Sequence, residues 1–578
     1  MAYTIDRFSA EVTAAIAATG RVPVALIETT TPKPNIPADL AFPAFKAAKE
    51  LGVAAAQLAA DLAAAIVPAK DSLIGVVSAA GPFLNFALQP QHLATAVITE
   101  IIALGPRYGH QQEGVGKTIV IDYSAPNIAK RMHVGHIRST IIGQALVNIF
   151  RALGYSVVGD NHLGDWGKQF GVVLASIERE GKPQSSGETA LEELEAMYAR
   201  YANEMKDHSA LDDRARHWSL ALEHGDSEAR ALWQWAIDLS MDAAQRNYER
   251  LGVTIDHAYG ESFYEPMLDG VIQEALASGA AYRDEGGAVV VEELDKNIPT
   301  FLLQRSDGGT LYMTRDLATI KFRMDAFNPA RIVYVIGEPQ SLHLRQLFAL
   351  VRQMGYTGET ELVHVSFGTV FDNKGKPLST RGGNMVYLEA LLDDAVQRAL
   401  AVVEHKNPEL PAAEKQAIAE AVGVGAVVYN DLYQDTRRNI TLDWERMLAT
   451  EGNSATYLQY SVARCRSILR RAADTGSAPG NDPQLFRVLE HPAEQQLLKQ
   501  LARLPEAIRE AGARYAPFVV ADWCYTTARD FGVFFEQCPV LKAESVTLRD
   551  ARLALVAATA QALINGLVLL GIRAPERM

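Results

Sequence analysis

Two histidines, His133 and His136, lie on either side of Gly135 in the segment K-R-M-H-V-G-H. Imidazoles three residues apart can both donate hydrogen bonds to one ligand, and the glycine removes a side chain where a flat ligand would press on the backbone. Lys130 and Arg131 add positive charge directly before them. These residue types at this spacing predict a site for an anion, above all the phosphates of a nucleotide.

The elements that position this segment are predicted from the apolar pattern. A short apolar run at residues 118–121 is typical of a buried strand. Beyond the histidines, apolar residues recur at helical spacing, at Ile137, Ile141, Ala145, Ile149 and Leu153. The histidines therefore lie at a strand-to-helix turn, where the unpaired N–H groups that begin a helix carry partial positive charge and attract phosphate.

A metal pair and two surface imidazoles are the alternative interpretations of these histidines. Zinc requires further Cys, His or carboxylate ligands at short spacing. The three cysteines lie far apart, at Cys465, Cys524 and Cys538. We therefore expect a nucleotide rather than a metal here, and no protein-bound metal.

Length and composition set the broad class. A chain of 578 residues is long enough for about three or four domains, and 48% apolar with 21% charged residues is typical of a soluble globular protein. A net charge of −14 argues against nonspecific coating of nucleic acid but is compatible with a structured RNA partner. The three widely spaced cysteines indicate a reducing compartment.

Neither a signal peptide nor a membrane span is predicted. The N-terminus, M-A-Y-T-I-D-R-F, carries charges where a signal peptide needs an apolar run, so we expect a cytoplasmic protein. Residues 553–572 contain no charge and are long enough to cross a bilayer. Polar residues and a glycine interrupt this stretch, at Thr559, Gln561, Asn565 and Gly566. We interpret it as a buried helix of a bundle.

The segment around the histidines resembles a known family. H-V-G-H resembles the first signature of class I aminoacyl-tRNA synthetases, and the flanking S-A-P-N-I-A-K and R-S-T-I-I-G are similar to the arginyl-tRNA synthetases. The matches run from about residue 81 to Met578. The resemblance implies ATP-dependent activation of L-arginine to arginyl-adenylate and transfer to the 3′-terminal adenosine of arginine tRNA, with Mg²⁺ accompanying the nucleotide. AMP and pyrophosphate are released.

The fold class follows from the patterns together with this resemblance. We expect an α/β protein with a Rossmann-like parallel-sheet catalytic domain at residues 111–390, interrupted by a helical insertion at about 175–285. An α+β domain at 1–110 would contact the tRNA corner, and an all-α bundle at 391–578 would bind the anticodon. We expect a monomer.

The substrate arginine is assigned to residues that only the resemblance singles out. Tyr312 and Asp316 share one face if a helix has begun there, and Asp316 could simply pair with Arg315 or Lys321. The resemblance implies that both bind the guanidinium, whose planar fork a carboxylate accepts through two parallel hydrogen bonds. It also implies that Gln346 touches the arginine.

Two further contacts concern the other end of the substrate and the nucleotide. By the same resemblance, Asn127 would hold the α-amino and carboxylate end of arginine, with Asp122 nearby. His343 would contact the nucleotide, although it could equally be a polar residue on a helix surface. Ala125 stands where many relatives carry serine.

A second basic loop, F-D-N-K-G-K-P-L-S-T-R-G-G-N, occupies the position of the second class I signature, usually written KMSKS. Ser379 matches its serine and is expected to bind ATP, whereas Arg381 stands where the second lysine is missing. Our hypothesis is that Lys374 or Lys376 reaches the phosphates and that Arg381 assists.

Two groups of residues are expected to contact tRNA. Asn85 and Phe86 could be a hydrogen-bonding amide beside a stacking ring, or a turn cap beside a core ring; the resemblance favours the first. In the C-terminal part, stacking, amide and guanidinium groups share one helix face, at Tyr457, Gln459, Tyr460 and Arg464. The residues alone favour a place in the bundle core. The resemblance instead implies tRNA contact, because it assigns this helix and the C-terminal residue Met578 to the anticodon-binding domain.

Overall fold

The computed structural model describes residues 2–33, 35–292, 294–378 and 386–578. Two predicted contacts, Ser379 and Arg381, lie outside the described residues. The N-terminal part contains α1 (Thr4–Ala18), β1 (Leu40–Pro43), α2 (Phe45–Leu51), α3 (Ala55–Ala65), β2 (Ile74–Ala80), β3 (Phe83–Leu88) and α4 (Pro90–Leu104). Its three strands form an antiparallel sheet in the order β1-β3-β2.

The central part begins with the predicted strand and long helix, and a second strand follows. They are β4 (Thr118–Asp122), α5 (Val134–Ala152) and β5 (Ser156–Asp160). Six helices follow before the parallel sheet resumes: α6 (Lys168–Glu180), α7 (Gly187–Glu204), α8 (Ser209–Glu223), α9 (Ser227–Leu251), α10 (Glu261–Tyr264) and α11 (Leu268–Ala277). A small antiparallel sheet comes next, made of β6 (Tyr282–Arg283), β7 (Val289–Val291) and β8 (Phe301–Gln304).

The chain then continues through α12 (Tyr312–Phe327), β9 (Arg331–Gly337), α13 (Ser341–Gln353) and β10 (Glu361–Phe367). The short strand β11 (Val370–Phe371), which lies outside the parallel sheet, follows. The four long strands are parallel in the order β10-β9-β4-β5, so their carboxyl ends meet at one edge. Alternate residues of β4 enter different cores. Ile119 and Ile121 pack on the side of α5, whereas Val120 packs on the side of α12 and α13.

From residue 386 onward, the chain is helical apart from one short strand. Its elements are α14 (Leu388–Lys406), α15 (Ala412–Leu432), β12 (Ile440–Thr441), α16 (Trp444–Met447), α17 (Ala455–Asp474), α18 (Pro492–Ala502), α19 (Leu504–Arg514), α20 (Phe518–Gln537) and α21 (Val546–Leu569). The apolar helix α21 is the one helix of the described residues long and apolar enough to cross a membrane, and 78% of its most apolar window is buried within the protein. Its apolar surface is therefore used by the bundle core.

Helix α5 lies between the sheet and this bundle, where it contacts α15, α19 and α21. Fifteen of its 19 residues are buried, including Arg138. One continuous core runs from Phe8 in α1 to Ile572 after α21. The structure confirms the predicted α/β class, with its parallel sheet, N-terminal α+β part and helical C-terminal bundle.

Candidate active site

The histidine turn is fixed by two backbone N–H groups. The N–H of Gly135 donates to Nδ1 of His133 at 3.0 Å, and the N–H of His133 donates to Nδ1 of His136 at 3.1 Å. Because each Nδ1 accepts a hydrogen bond, each ring carries its proton on Nε2. The rings lie 4.0 Å apart and are partly exposed. The start of α5 thus presents two Nε2–H donors, which suit phosphate oxygens.

Burial keeps both imidazoles neutral. It lowers the pKa of His133, and the charge of Lys130 acts in the same direction. It lowers the pKa of His136 to about 3, and the neighbouring His133 ring and Lys130 act in the same direction. Gly135 is required by this packing, because a Cβ there would come within 2.7 Å of the His133 ring. The missing side chain of Gly135, which the sequence analysis related to a flat ligand, therefore makes room for the His133 ring.

Asp122 lies at the carboxyl end of β4, directly opposite Asp160 at the end of β5. Nη2 of Arg323, from α12, donates to Oδ2 of both carboxylates at 2.7 Å. All three side chains are buried, and burial raises the pKa of Asp122 while Arg323 acts against that rise. The ion pair with Arg323 occupies Oδ2 of Asp122, the residue expected to lie near the substrate.

Asn127 is exposed within a strained and otherwise mostly buried turn between β4 and the histidines. Three residues of this turn, Ser124, Ala125 and Ala129, have positive φ angles of 76°, 49° and 62°. Residues other than glycine adopt such angles rarely, and often at functional sites. A β-bridge to Gly164 joins Asn127 to the loop H-L-G-D-W-G after β5. Asn127 therefore lies at the same sheet edge as the histidines.

Tyr312 and Asp316 lie on the first turns of α12, as predicted. The Tyr312 side chain is 70% exposed, and Asp316 is half-buried. The basic neighbours on the helix are engaged elsewhere: Arg315 pairs with Glu265, and Lys321 pairs with a glutamate of α11. The Asp316 carboxylate is thus not neutralised by either of the two residues considered from the sequence.

The partner of Asp316 is His343, on the first turn of α13. Nε2 of His343 lies 2.5 Å from Oδ2 of Asp316. The ring of His343, which the resemblance assigns to the nucleotide, is thus hydrogen-bonded to a residue that the resemblance assigns to arginine. Gln346, one turn further on, donates through Nε2 to the carbonyl oxygen of Pro299 at 3.1 Å and remains partly exposed.

Sequence reasoning missed a second carboxylate, Glu261, which lies at the start of α10. Burial raises its pKa to about 7, with Arg315 lowering it and the nearby charge of Asp316 raising it. Asp165 fixes this helix start, because Oδ1 accepts the N–H of Ser262 at 2.9 Å and Oδ2 accepts its hydroxyl. No spacing distinguishes Glu261 among the 69 acidic residues of the chain.

The basic loop begins as a tight turn. Oδ1 of Asp372 accepts the N–H of Lys374 at 2.9 Å and the N–H of Lys376 at 2.7 Å. Both lysines are exposed, and neither forms an ion pair with any described residue. The chain returns to the histidines after the loop, where the N–H of Val134 donates to the carbonyl oxygen of Val386 at 2.9 Å.

The structure corrects one predicted RNA contact. Phe86 is fully buried and Asn85 is 5% exposed, because β3 is the central strand of its sheet. This places Phe86 in the core, the alternative that the sequence left open. The exposed rings of the same region are Phe83 and Phe45, which pack edge to face with centroids 5.6 Å apart.

A second correction concerns α17. Gln459 is fully buried, and its amide donates to the carbonyl oxygens of Ala421 and Arg573, so it ties helices together. Tyr457 is half-buried, and its hydroxyl donates to a carbonyl oxygen of α20 at 3.3 Å. The other predicted residues, Tyr460, Arg464 and Met578, line a cavity of about 830 Å³. Five basic residues line this cavity: Arg464, Arg470, Arg471, Lys542 and Arg577.

Family models give the class of protein that this fold and histidine turn define. The model described as tRNA synthetases class I (R), catalytic domain, matches residues 97–444. A DALR anticodon binding domain matches residues 458–578, and an arginyl tRNA synthetase N terminal domain matches residues 6–88. The class is that of the class I aminoacyl-tRNA synthetases.

Curated relatives narrow this class. The chain is 68% identical to the arginine–tRNA ligase of Chloroflexus aggregans over 100% of both chains. It is 40% identical to the arginine–tRNA ligase of Streptococcus uberis over 95% of both. The chain therefore belongs to the arginyl-tRNA synthetase family, which confirms the resemblance found in the sequence.

Solved structures agree in fold. The arginyl-tRNA synthetase of Thermus thermophilus superposes with a TM-score of 0.82 at 23% identity, covering 99% of this chain and 100% of that chain. The enzyme from Plasmodium falciparum superposes with a TM-score of 0.79 at 21% identity, covering 99% of each. At these identities the likeness establishes the shared fold.

Proposed function

We propose that the chain is an arginine–tRNA ligase that uses its two neutral imidazoles to bind ATP and the Asp316 pocket to select arginine. The observation that carries this proposal is the pair of Nε2–H donors at the start of α5, on the sheet edge that also carries Asn127. Ligands of parallel α/β sheets bind outside the carboxyl ends of the strands.

In the first step, a carboxylate oxygen of arginine attacks the α-phosphate of ATP in line, and pyrophosphate leaves. The enzyme forms no covalent bond, so its contribution is positioning and stabilisation of developing charge. His133 and His136 donate Nε2–H to phosphate oxygens. Lys374 or Lys376 is assigned to the departing pyrophosphate, because both are exposed on a turn whose chain returns to the histidines.

Mg²⁺ enters with the nucleotide. The described residues contain no group of three His, Cys, Asp or Glu side chains that could hold a metal ion. The phosphate oxygens of ATP would supply its ligands, as is usual for a hard cation that keeps much of its water. There it would neutralise phosphate charge.

Arginine is selected by charge and planarity. The carboxylate of Asp316 accepts the guanidinium fork, Glu261 adds a second carboxyl group, and Tyr312 covers the pocket from the start of α12. Gln346 contacts the substrate from α13, and Asn127 holds its α-amino and carboxylate end. A pocket built to pair a polar group rejects analogues that lack it by about 10⁴ to 10⁵, so no editing site is required.

In the second step, the 2′-hydroxyl of the terminal tRNA adenosine attacks the activated carbonyl, and AMP leaves. The exposed Phe45 and Phe83 rings offer a base-stacking surface on the N-terminal part, in place of Phe86. The basic cavity around Tyr460 and Arg464 offers another on the C-terminal part, where phosphates and unpaired bases find cations and rings.

The organisation of the chain completes the proposal. We assign residues 1–110 to the domain that contacts the tRNA corner and residues 111–390 to the catalytic domain. Residues 391–578 form the anticodon-binding domain. The helical insertion, predicted at about 175–285, is a tRNA-facing scaffold. The protein acts as a monomer in the cytoplasm.

Charging of tRNA tests the proposal. Purified protein with ATP, Mg²⁺ and labelled arginine should attach arginine to tRNA specific for arginine and to no other tRNA. A tRNA that ends in 2′-deoxyadenosine should remain uncharged, whereas one that ends in 3′-deoxyadenosine should still accept arginine. Charging of the 2′-deoxy tRNA alone would assign the attack to the 3′-hydroxyl.

A further inference from the structure

Arg138 lies two residues after His136, and its guanidinium is completely buried. All five of its N–H groups are used. Nε and Nη2 donate to Oδ1 of Asp431 in α15 at 3.0 and 2.8 Å. Nη1 donates to the carbonyl oxygens of Gly368 and Arg438, and Nη2 donates also to that of Thr436, at 2.8 to 3.1 Å.

One of these acceptors, the carbonyl oxygen of Gly368, lies just before the basic loop. Gly368 directly follows β10 and lies two residues before β11, the strand that leads to Lys374 and Lys376. β11 pairs with β12 of the C-terminal part, with Val370 opposite Ile440. Arg138 therefore fixes the entry of the loop to the histidine helix and to the helical bundle together.

A second arginine, Arg131, lies two residues before His133 and meets the other end of the loop. Its guanidinium lies over the ring of Tyr387, with Cζ 3.5 Å from the ring centroid. It also pairs with Glu192 and Glu195 of α7 at 2.9 and 3.0 Å. Tyr387 itself forms a β-bridge with His133. Arg131 therefore fixes the exit of the loop to the histidine turn and to the helical insertion.

Both arginines form ion pairs with carboxylates of the protein. Their charges are therefore not free to bind phosphate. Arg138 is fully enclosed, and only 14% of the Arg131 side chain is exposed. Lys130, by contrast, forms no ion pair within the described residues and lies over the ring of Tyr198 at 5.4 Å. The two arginines therefore have a structural role, because a planar guanidinium group binds several partners in fixed directions.

We propose that Arg131 and Arg138 are positioning residues that hold the two ends of the basic loop against the histidine turn, so that adenylate formation depends on them through the loop lysines. The proposal rests on the proposed function. A displacement of about 1 Å between reacting groups costs on the order of 10²-fold in rate. Loss of either support should therefore reduce the turnover number more than the binding of arginine.

The first test uses Arg131→Ala and Tyr387→Leu, with Arg179→Ala as the matched control. Arg179 makes the same kinds of contact within the insertion, over the ring of Tyr201 and beside Glu204, away from the loop. Both test variants should lower the kcat of ATP–pyrophosphate exchange at least tenfold at saturating tRNA, with the KM for arginine changed less than twofold. Arg179→Ala should exchange normally. An equal loss in the control would overturn the proposal.

The second test places Arg131→Ala, and separately Arg138→Lys, in a background that lacks both Lys374 and Lys376. Residues that act through the lysines should have no further effect there. The same fold loss in both backgrounds would overturn the proposal, because the arginines would then act on another part of the enzyme. The melting temperature of Arg138→Lys shows whether its loss of activity comes from a folding defect. The test with Arg131→Ala does not depend on that result. Absence of exchange in the parent enzyme would contradict the proposed function instead.

Discussion

Nε2 of His343 lies 2.5 Å from Oδ2 of Asp316, so a ring from the next helix already holds the carboxylate that we propose to receive the substrate guanidinium. The two residues belong to α12 and α13, which pack on the same face of the parallel sheet. A carboxylate oxygen can accept more than one hydrogen bond. The ring can therefore orient Asp316 while leaving acceptor positions for the guanidinium.

The first prediction concerns this ring. His343→Ala should raise the KM for arginine about tenfold or more, since a hydrogen bond to a charged group contributes about 1.5 to 3 kcal/mol. The KM for ATP should stay unchanged in steady-state exchange kinetics. A raised KM for ATP with a normal KM for arginine would show that His343 contacts the nucleotide instead.

Replacement of the carboxylate itself should be more severe. Asp316→Asn should lower kcat/KM for arginine by about 10³-fold, because removing one partner of a desolvated charge pair costs about 3 to 5 kcal/mol. Asp325→Asn on the same helix is the control, since Asp325 is exposed. Similar losses in both variants would show that the helix as a whole, rather than the pocket, is sensitive.

The third prediction follows from the pKa of Glu261, which burial raises from 4.5 to about 7. The folded protein therefore binds a proton that the unfolded chain releases, and the stability that this group contributes is largest below pH 4.5 and is lost as the pH rises through 7. A bound guanidinium favours the ionised carboxylate. The KM for arginine should thus fall as the pH rises from about 6 to 8, and binding near neutral pH should release a proton.

Calorimetry in buffers of different ionisation enthalpy measures that proton. Glu261→Gln should abolish the release and flatten the pH dependence of the KM for arginine. Proton release that persists in Glu261→Gln would assign the titration to another group of the pocket.

The neutral imidazoles give a fourth prediction. The amide nitrogen of glutamine can replace Nε2, whereas that of asparagine corresponds to Nδ1. His136→Asn should therefore lower the kcat of exchange by about 10² to 10³, the usual cost of one lost transition-state donor, and His136→Gln should lower it less. The exchange rates of both variants at saturating ATP test this prediction. A larger loss in His136→Gln than in His136→Asn would mean that Nδ1, not Nε2, contacts the phosphate.

The fifth prediction separates Phe83 from Phe86. Phe83→Ala should weaken tRNA binding about tenfold, as the loss of one stacked base does, without lowering the melting temperature. Phe86→Leu should lower the melting temperature and leave the Kd for tRNA unchanged, because the ring is buried. Val76→Ala, exposed on the neighbouring strand, controls for surface changes. Weaker tRNA binding by Phe86→Leu at an unchanged melting temperature would restore the original prediction.

The turn around the histidines could be predicted from the sequence because its information is local. The apolar run before it and the helical spacing after it define a strand and a helix whatever the rest of the chain does. The resemblance over this segment then identified the family, and the comparisons confirmed it. Tyr312 and Asp316 lie on a helix, which is the condition under which their spacing places them on one face.

The contacts that the sequence did not predict join distant segments. Arg323 and Asp122 are 201 residues apart, and no periodic pattern indicates that the two side chains form an ion pair. Phe86 was misjudged because Leu84, Asn85 and Phe86 are all buried in the central strand β3, so the usual alternation of exposed and buried positions is lost. The hydrogen bond between His343 and Asp316 was not predicted, because it depends on how α13 packs beside α12.

The most direct test of the central claim is ATP–pyrophosphate exchange by the purified protein, with and without tRNA specific for arginine. With that tRNA present, L-arginine should support rapid exchange, whereas lysine and the neutral analogue citrulline should support almost none. Absence of exchange with arginine and tRNA together, or equal exchange with lysine, would contradict the assignment of the Asp316 pocket and the histidine turn.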